Sequence, residues 1–379
     1  MFDYETLKLI WWVLVGVLLI GFALTDGFDL GAVILLPFVG KTDSERRVVI
    51  NTIAPHWDGN QVWLITAAGA LFAAWPVVYA ASFSGFYWAM LLVLFALFTR
   101  PVGFDYRSKL DNPNWRSRWD WVLCLGSFVP ALVFGVAFGN LFLGVPFMLD
   151  ETMRISYTGN FWGLLNPFGI LVGLVSVAML VSHGAAWLML RTEQQVFQRS
   201  RNAAQIFSIA YLITFIGAGL WLWLGIQGYS VTSVIDPNAA IDPLSKTVAQ
   251  NNPGWLANYT QYPMMRIAPA LGIVGGVLAL LAATVQRSGL AFLGSSLMIT
   301  GTICTAGFAL FPFLMPSSID FSSSLTMWDA VSSHKTLGIM FVAAAIFVPI
   351  ILLYTLWSYI KMWGTVKVSD IDNNSHGLY

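Results

Sequence analysis

Charge is scarce in this chain. Asp, Glu, Lys and Arg make up 10% of its 379 residues, against about 25% in an average soluble protein. The 19 basic and 19 acidic side chains cancel, so the chain has neither the basic excess of a nucleic-acid-binding surface nor the composition of a disordered one. A soluble protein of this length could not cover its surface with so few charges, and neutrality would leave it prone to precipitate. Cysteine is nearly absent. Cys124 and Cys304 stand singly in apolar runs, with no CxxC, disulfide framework or iron–sulfur spacing, and read as buried small hydrophobes. The four histidines, His56, His183, His334 and His376, are scattered, and no spacing sets two of them on opposed helices at one depth. A transmembrane bis-histidine haem site is therefore unsupported. Walker, GxSxG, zinc and dinucleotide motifs are missing. The N-terminal MFDYETLK lacks the basic region of a cleaved signal peptide, and the apolar run after it is too long for one, so it reads as a retained helix.

What the chain has in quantity is apolar and aromatic: 57% hydrophobic residues, 17 Trp and 27 Phe, as expected of interfacial belts and lipid-facing surface. The composition predicts an all-α polytopic membrane protein. Stretches long enough to cross about 30 Å of hydrocarbon, at about 20 residues each, number nine, at roughly 8–36, 56–78, 82–100, 120–143, 161–190, 203–228, 267–286, 289–315 and 336–362. Prolines at 37, 76, 101, 146 and 316 are expected to end them. The second and third are separated only by a tight turn. The whole chain, 1–379, reads as a single integral membrane domain, with one long polar loop at about 229–265. Fourteen of the 19 lysines and arginines follow odd-numbered spans or lie in the tail, and five (Lys8, Arg154, Lys246, Arg266, Lys335) lie on the other side. The positive-inside rule then places the N-terminus outside and the C-terminus in the cytoplasm, as an odd number of spans requires.

Ionisable groups within spans cost roughly 3 kcal/mol each at mid-membrane on insertion scales. Asp26 and Asp29 in TDGFDLG share one helical face, and Gly27 and Gly31 would let another backbone approach. Remaining calcium-ligand positions are missing; pairing with arginines at the inner boundary is the plain alternative to a functional role. APHWDGNQVW gathers His56, Asp58, Asn60 and Gln61 in one turn beside Trp57 and Trp63. Dipole complementarity explains Asp58 alone, but not the cluster, which could hold water or exchange protons. In FTRPVGFDYRSKL and NWRSRWDW, Arg100, Asp105, Arg107, Lys109, Arg116, Arg118 and Asp120 surround interfacial aromatics. Topology signal and headgroup contact account for most of these. Arg100 and Asp120 are natural partners for Asp26 and Asp29, and Asp105 could meet Lys109 if the segment is helical. On the other side FPFLMPSS and SLTMWDAVSSHK form a polar, turn-rich counterpart with Asp329 and His334.

From end to end, in order, the chain resembles subunit II of the cytochrome bd ubiquinol oxidases: FDYETLKLIWWVLVGVLLIGFALTDGFDLG, APHWDGNQVWLITAAGALFAAWP, SGFYWAM, RPVGFDYRSK, FGVAFGNLFLGVPF, LLNPFG, LFPFLMPSS, SLTMWDA and HGLY. The resemblance implies two four-helix bundles plus a peripheral helix. It implies a bacterial inner-membrane respiratory oxidase whose partner, subunit I, oxidises ubiquinol and reduces dioxygen to water. Low-spin haem b, high-spin haem b and haem d would be ligated mainly or wholly by subunit I. A small single-helix accessory subunit, bound lipids and a structural ubiquinone in this subunit would complete the assembly. By the same resemblance a proton path enters near Asp105, Lys109 and Tyr379 and passes Asp58, Trp63 lines a lateral oxygen entrance, and Asp26, Asp29, Arg100 and Asp120 form a charged inter-helix set. No catalytic residue or metal ligand is expected in this chain. A proton-coupled secondary transporter and a purely structural scaffold are the rival readings; the first would gather its acids around a midplane site, whereas these gather towards one face.

Overall fold

A computed structural model of the chain describes residues 2–239, 241–252 and 254–373. Among these the helices are α1 (Tyr4–Val39), α2 (Asp43–Ile53), α3 (Trp57–Ala74), α4 (Pro76–Gly85), α5 (Tyr87–Arg107), α6 (Pro113–Leu143), α7 (Phe161–Leu164), α8 (Pro167–Arg191), α9 (Gln194–Gly225), α10 (Ala257–Gln261), α11 (Ile267–Thr284), α12 (Ser288–Leu310), α13 (His334–Lys361) and α14 (Val368–Asn373). Three short antiparallel hairpins join β1 (Phe147–Leu149) to β2 (Ile155–Tyr157), β3 (Gly228–Val231) to β4 (Val248–Asn251), and β5 (Phe313–Met315) to β6 (Leu325–Thr326).

Capping residues place the helix starts. Asp3 accepts from the Thr6 amide at 2.7 Å and opens α1, and Asn112 and Asn166 do the same for α6 and α8 just before a proline at the first helical position. Thr42 and Glu45 form a reciprocal capping box that opens α2. That amphipathic helix lies in what reads from sequence as a plain loop.

Eight of the described helices are long and apolar enough to cross a membrane. The second expected crossing, 56–78, is missing from that set: its helix, α3, has 18 residues, and the polar opening WDGNQ lowers its hydropathy. The tight turn expected after it is a helix of its own: α3 ends at Ala74, Trp75 lies between, and Pro76 starts α4. Pro37 and Pro101, expected to end spans, lie inside α1 and α5. A proline removes one hydrogen bond without stopping a membrane helix whose neighbours hold it. In the other direction, the eighth span stops at Leu310 and its expected last residues, 311–315, form a turn and β5. The fifth is broken at Asn166 into α7 and α8.

Helices α1, α3, α5 and α6 pack as one group and α8, α9, α11 and α12 as another, with α1 and α6 meeting α8 along the seam. Small residues set that seam. A Cβ on Gly31 would stand 2.1 Å from the Leu180 carbonyl oxygen, and one on Gly184 would stand 2.3 Å from the Ala32 amide, so α1 and α8 touch backbone to backbone, as small-residue crossings in membranes allow. Helix α8 is the most enclosed, with 72% of its most apolar stretch buried, against 11% for α9 and for the peripheral α13. Two ends result. One, the basic end, carries α2, α14 and the arginine-rich turns; the other, the loop end, carries the hairpins.

At the loop end the polar loop after α9 is seated rather than free. Lys8 on α1 donates to the carbonyls of Pro237 and Trp328 at 2.6 and 2.7 Å, and Lys246 lies 3.0 Å from Asp329. Burial is the main influence on both partners of that pair, pushing the Asp329 carboxyl above and the Lys246 ammonium below their ordinary values.

Candidate functional site

The polar turn that opens α3 is sorted by helical spacing. His56 and Asn60, four residues apart, point inward and are buried; Asp58 between them is exposed. Asn60 donates from Nδ2 to Asp29 Oδ2 at 2.8 Å and accepts from the Tyr359 hydroxyl of α13 at 2.7 Å. The His56 ring lies flat on Tyr359, with centroids 4.1 Å apart and planes at 12°.

Arg100 reaches from α5 into the same region and binds Asp26 with two nitrogens, at 2.6 and 2.9 Å. It stands 4.0 Å from Asp29, and its guanidinium faces the Trp57 ring at 5.6 Å. Arg100, Asp26 and Asp29 are each fully buried. Arg100 sits well inside α5 rather than at a helix end, because α5 runs on to Arg107.

Asp120 belongs to a separate network and does not join Asp26 and Asp29. It receives Arg107 at 2.5 Å through Nε and Arg46 at 2.8 Å. Arg107 also reaches Asp43 at 2.9 Å, and Arg116 joins Asp43 to Asp111. Glu45 on α2 accepts from Arg199 of α9 at 2.8 Å. Burial works to raise the Glu45 carboxyl, but the Arg199 bond and the amides of Lys41 and Thr42 together hold it below its ordinary value. The charged inter-helix set expected from sequence is thus two clusters, joined through α5, at different depths.

Asp105 and Lys109 are both exposed and line, with Tyr106, Leu110 and Trp115, an open recess of about 640 Å³ at the basic end. They form no ion pair, because α5 ends at Arg107 before Lys109 can complete a helical turn onto Asp105. Asp58, Asp105 and Lys109 make no ion pair or side-chain hydrogen bond among the described residues, in contrast to the acids of the two buried networks. Trp63, half-buried, lies against Gly21 of α1, where a Cβ would meet its ring at 2.6 Å. Tyr379 lies outside the described residues, as does the HGLY motif.

Among the described residues the histidines do not fit a haem. His183 uses one ring nitrogen on the Leu24 carbonyl and the other on Ser295, at 3.0 and 2.8 Å. His334 bonds the Phe2 carbonyl at the loop end, and His56 is packed against Tyr359. No cluster of three metal-ligating side chains occurs among the described residues. Sequence reasoning missed Tyr359 and gave Asn60 no role of its own. Tyr359 sits in an otherwise apolar span and carries no local signal; the i, i+4 spacing of His56 and Asn60 is the signal that was available.

Long apolar helices enclosing ion pairs define a multi-pass integral membrane protein. The family described as cytochrome bd terminal oxidase subunit II matches residues 7–362, and the chain belongs to that family. Cytochrome bd-I ubiquinol oxidase subunit 2 of Escherichia coli (strain K12) is 56% identical over the full length of both chains. Cytochrome bd ubiquinol oxidase subunit 2 of Bacillus subtilis (strain 168) is 32% identical over 92% of this chain and 94% of its own. Among solved structures, a chain of the bd oxidase from Geobacillus thermodenitrificans superimposes with a TM-score of 0.67 at 13% identity, covering 94% of this chain and 98% of that one; that likeness speaks to the fold.

Proposed function

We propose that the chain serves a bd-type quinol oxidase as the proton-uptake side of its membrane assembly. Asp105 and Lys109 collect protons at the basic end, Tyr379 shares that role by the family resemblance, and Asp58 passes them towards a haem-bearing subunit I. Haem ligation and electron transfer then fall to that partner, which carries low-spin haem b, high-spin haem b and haem d. Ubiquinol is oxidised near the outer face and releases its protons there; the protons that convert dioxygen to water come from the cytoplasm. Charge separates across the bilayer without a pump. Trp63 lines the oxygen path, a small single-helix subunit and lipids complete the complex, and a structural ubiquinone occupies this subunit. The basic end faces the cytoplasm, by the distribution of lysine and arginine.

The observation that carries this reading is the contrast in engagement. Asp26, Asp43, Asp120 and Glu45 are held by arginines within the chain, whereas Asp58, Asp105 and Lys109 stand exposed and unpaired at the same end among the described residues. Acids already locked into ion pairs suit structure; uncommitted ones suit proton exchange.

Asp58→Asn tests it. The assembled complex should keep its haem spectrum and reduce oxygen several-fold more slowly. Unchanged turnover would remove Asp58 from the route, and loss of haem d on mutation would make it a structural residue instead.

A further inference from the structure

The charges around α1 do not balance. Asp26 and Asp29 lie three residues apart on one face, and one guanidinium serves both. Arg100 is committed to Asp26 through both oxygens and leaves Asp29 a single approach of 4.0 Å. The hydrogen bond Asp29 does receive comes from a neutral amide, Asn60. Its other oxygen, Oδ1, has no partner among the described residues. The groups that face Asp29 are Asp26 on its own helix, Arg100 from α5, Asn60 from the start of α3, and Tyr359 from α13, with His56 stacked on Tyr359. On α8, Arg191 acts electrostatically on Tyr359 and His56 but spends its hydrogen bonds on the carbonyls of Met362 and Gly364, and His183 is held on the Leu24 carbonyl; α6 contributes Cys124, bonded to the Ile34 carbonyl.

Since Asp29 is fully enclosed by its own chain, a partner packed on the outside cannot bring it a counter-charge by contact. A buried carboxylate so poorly compensated is a costly charge, and such groups are neutralised by taking up a proton. We propose that Asp29 is a proton-storing carboxylic acid, and that Asn60 and Tyr359 are the positioning residues that hold it so. The Tyr359 hydroxyl donates to Asn60 Oδ1, which turns the amide so that its N–H meets Asp29 Oδ2 and leaves Oδ1 to carry the proton. His56, flat against Tyr359, fixes the phenol from its other side. Asp58 stands on the same turn of α3 as Asn60, so a proton accepted at the exposed face has only that turn to round. Only this last link rests on the uptake reading; the storage of a proton is a property of Asp29 and its neighbours.

Infrared spectra of the intact complex at neutral pH, equilibrated in H2O and in D2O, test it. The wild type should show a carboxylic-acid C=O band that shifts on deuteration and is missing from Asp29→Asn. In Tyr359→Phe, which keeps the ring against His56 and loses one hydrogen bond, the band should persist at a displaced frequency. If Asp29→Asn instead loses intensity from the ionised-carboxylate bands, Asp29 is charged and the proposal falls. Should Asp29→Asn not assemble, Tyr359→Phe decides alone: a displaced C=O band supports storage, and an unchanged C=O band overturns it. Asp58→Asn should leave the Asp29 band in place, so a normal turnover in that variant would defeat the uptake route without touching this one.

Discussion

Arg100 holds Asp26 by two nitrogens, at 2.6 and 2.9 Å, with neither side chain open to solvent. The pair ties α5 to α1 in the interior of the first helix group. Arg100→Leu would leave Asp26 buried without a counter-charge, a change that costs roughly 3–5 kcal/mol. Arg100→Lys should recover only part of this, since an ammonium cannot bridge two oxygens as a planar guanidinium does. The thermal unfolding midpoint of the solubilised complex gives the order expected: wild type, then Lys, then Leu. Equal midpoints for all three would show that α1 and α5 are held by packing alone.

The seam between α1 and α8 allows no side chain at Gly31 or Gly184. Gly184→Val should destabilise by about 1–3 kcal/mol or more through overpacking, because the obstacle is backbone that cannot turn aside. Gly16, around which a Cβ meets nothing within 4 Å, is the control; Gly16→Ala should be neutral or slightly stabilising. Yields and melting midpoints of the two variants make the comparison.

At the loop end, Asp329→Asn removes the charge opposite the buried Lys246. The uncompensated ammonium costs roughly 3–5 kcal/mol where it is buried, but the loop can leave its seat without the helices unfolding. The expected result is faster proteolysis within 232–247 at little change in the melting midpoint. A double variant, Lys246→Met with Asp329→Leu, should restore resistance, since replacing both buried charges by apolar groups is often neutral or stabilising.

Glu45 supplies a pH dependence of known sign. Its carboxyl is held below the ordinary value of 4.5, against the opposing effect of burial, by Arg199 and the amides of Lys41 and Thr42. A carboxyl lowered in the folded state contributes stability above its ordinary value and loses that contribution as pH falls through the folded value. Hydrogen exchange in α2 should therefore accelerate below about pH 4.5, and Glu45→Gln should be loose at neutral pH with that acid step gone. An acid step of the same size in the Gln variant would assign it to other carboxyls.

Much of the fold was legible because hydropathy reports long apolar helices directly. What it misplaced are ends. Pro37 and Pro101 are stop signals by local rules, yet both helices continue because neighbouring helices supply the packing that a proline removes from hydrogen bonding. Trp75 and Asn166 break runs that are apolar enough to look continuous. The site was legible as a set of residue types and not as a geometry. Asp26 with Arg100 follows from charge pairing, but the transfer of Asp120 to Arg46 and Arg107 depends on α2, whose amphipathic pattern is hidden in a short charged loop. Tyr359 was beyond reach, because its meaning comes from Asn60, almost 300 residues earlier in the chain.

Helix α13 touches the body of the protein at its two ends. Near the loop end Trp11 donates to the Leu337 carbonyl; near the basic end Tyr359 meets Asn60, and Arg191 binds the carbonyls of Met362 and Gly364. Between them Ile346, Phe347, Ile350 and Leu353 face outward. With 28 residues the helix is about 42 Å long, against roughly 30 Å of hydrocarbon, so it must tilt or project. Pinned at both ends, it cannot adjust that tilt freely. Bilayer thickness is then a mechanical load on the pins, and one of them is the phenol that orients the amide beside Asp29.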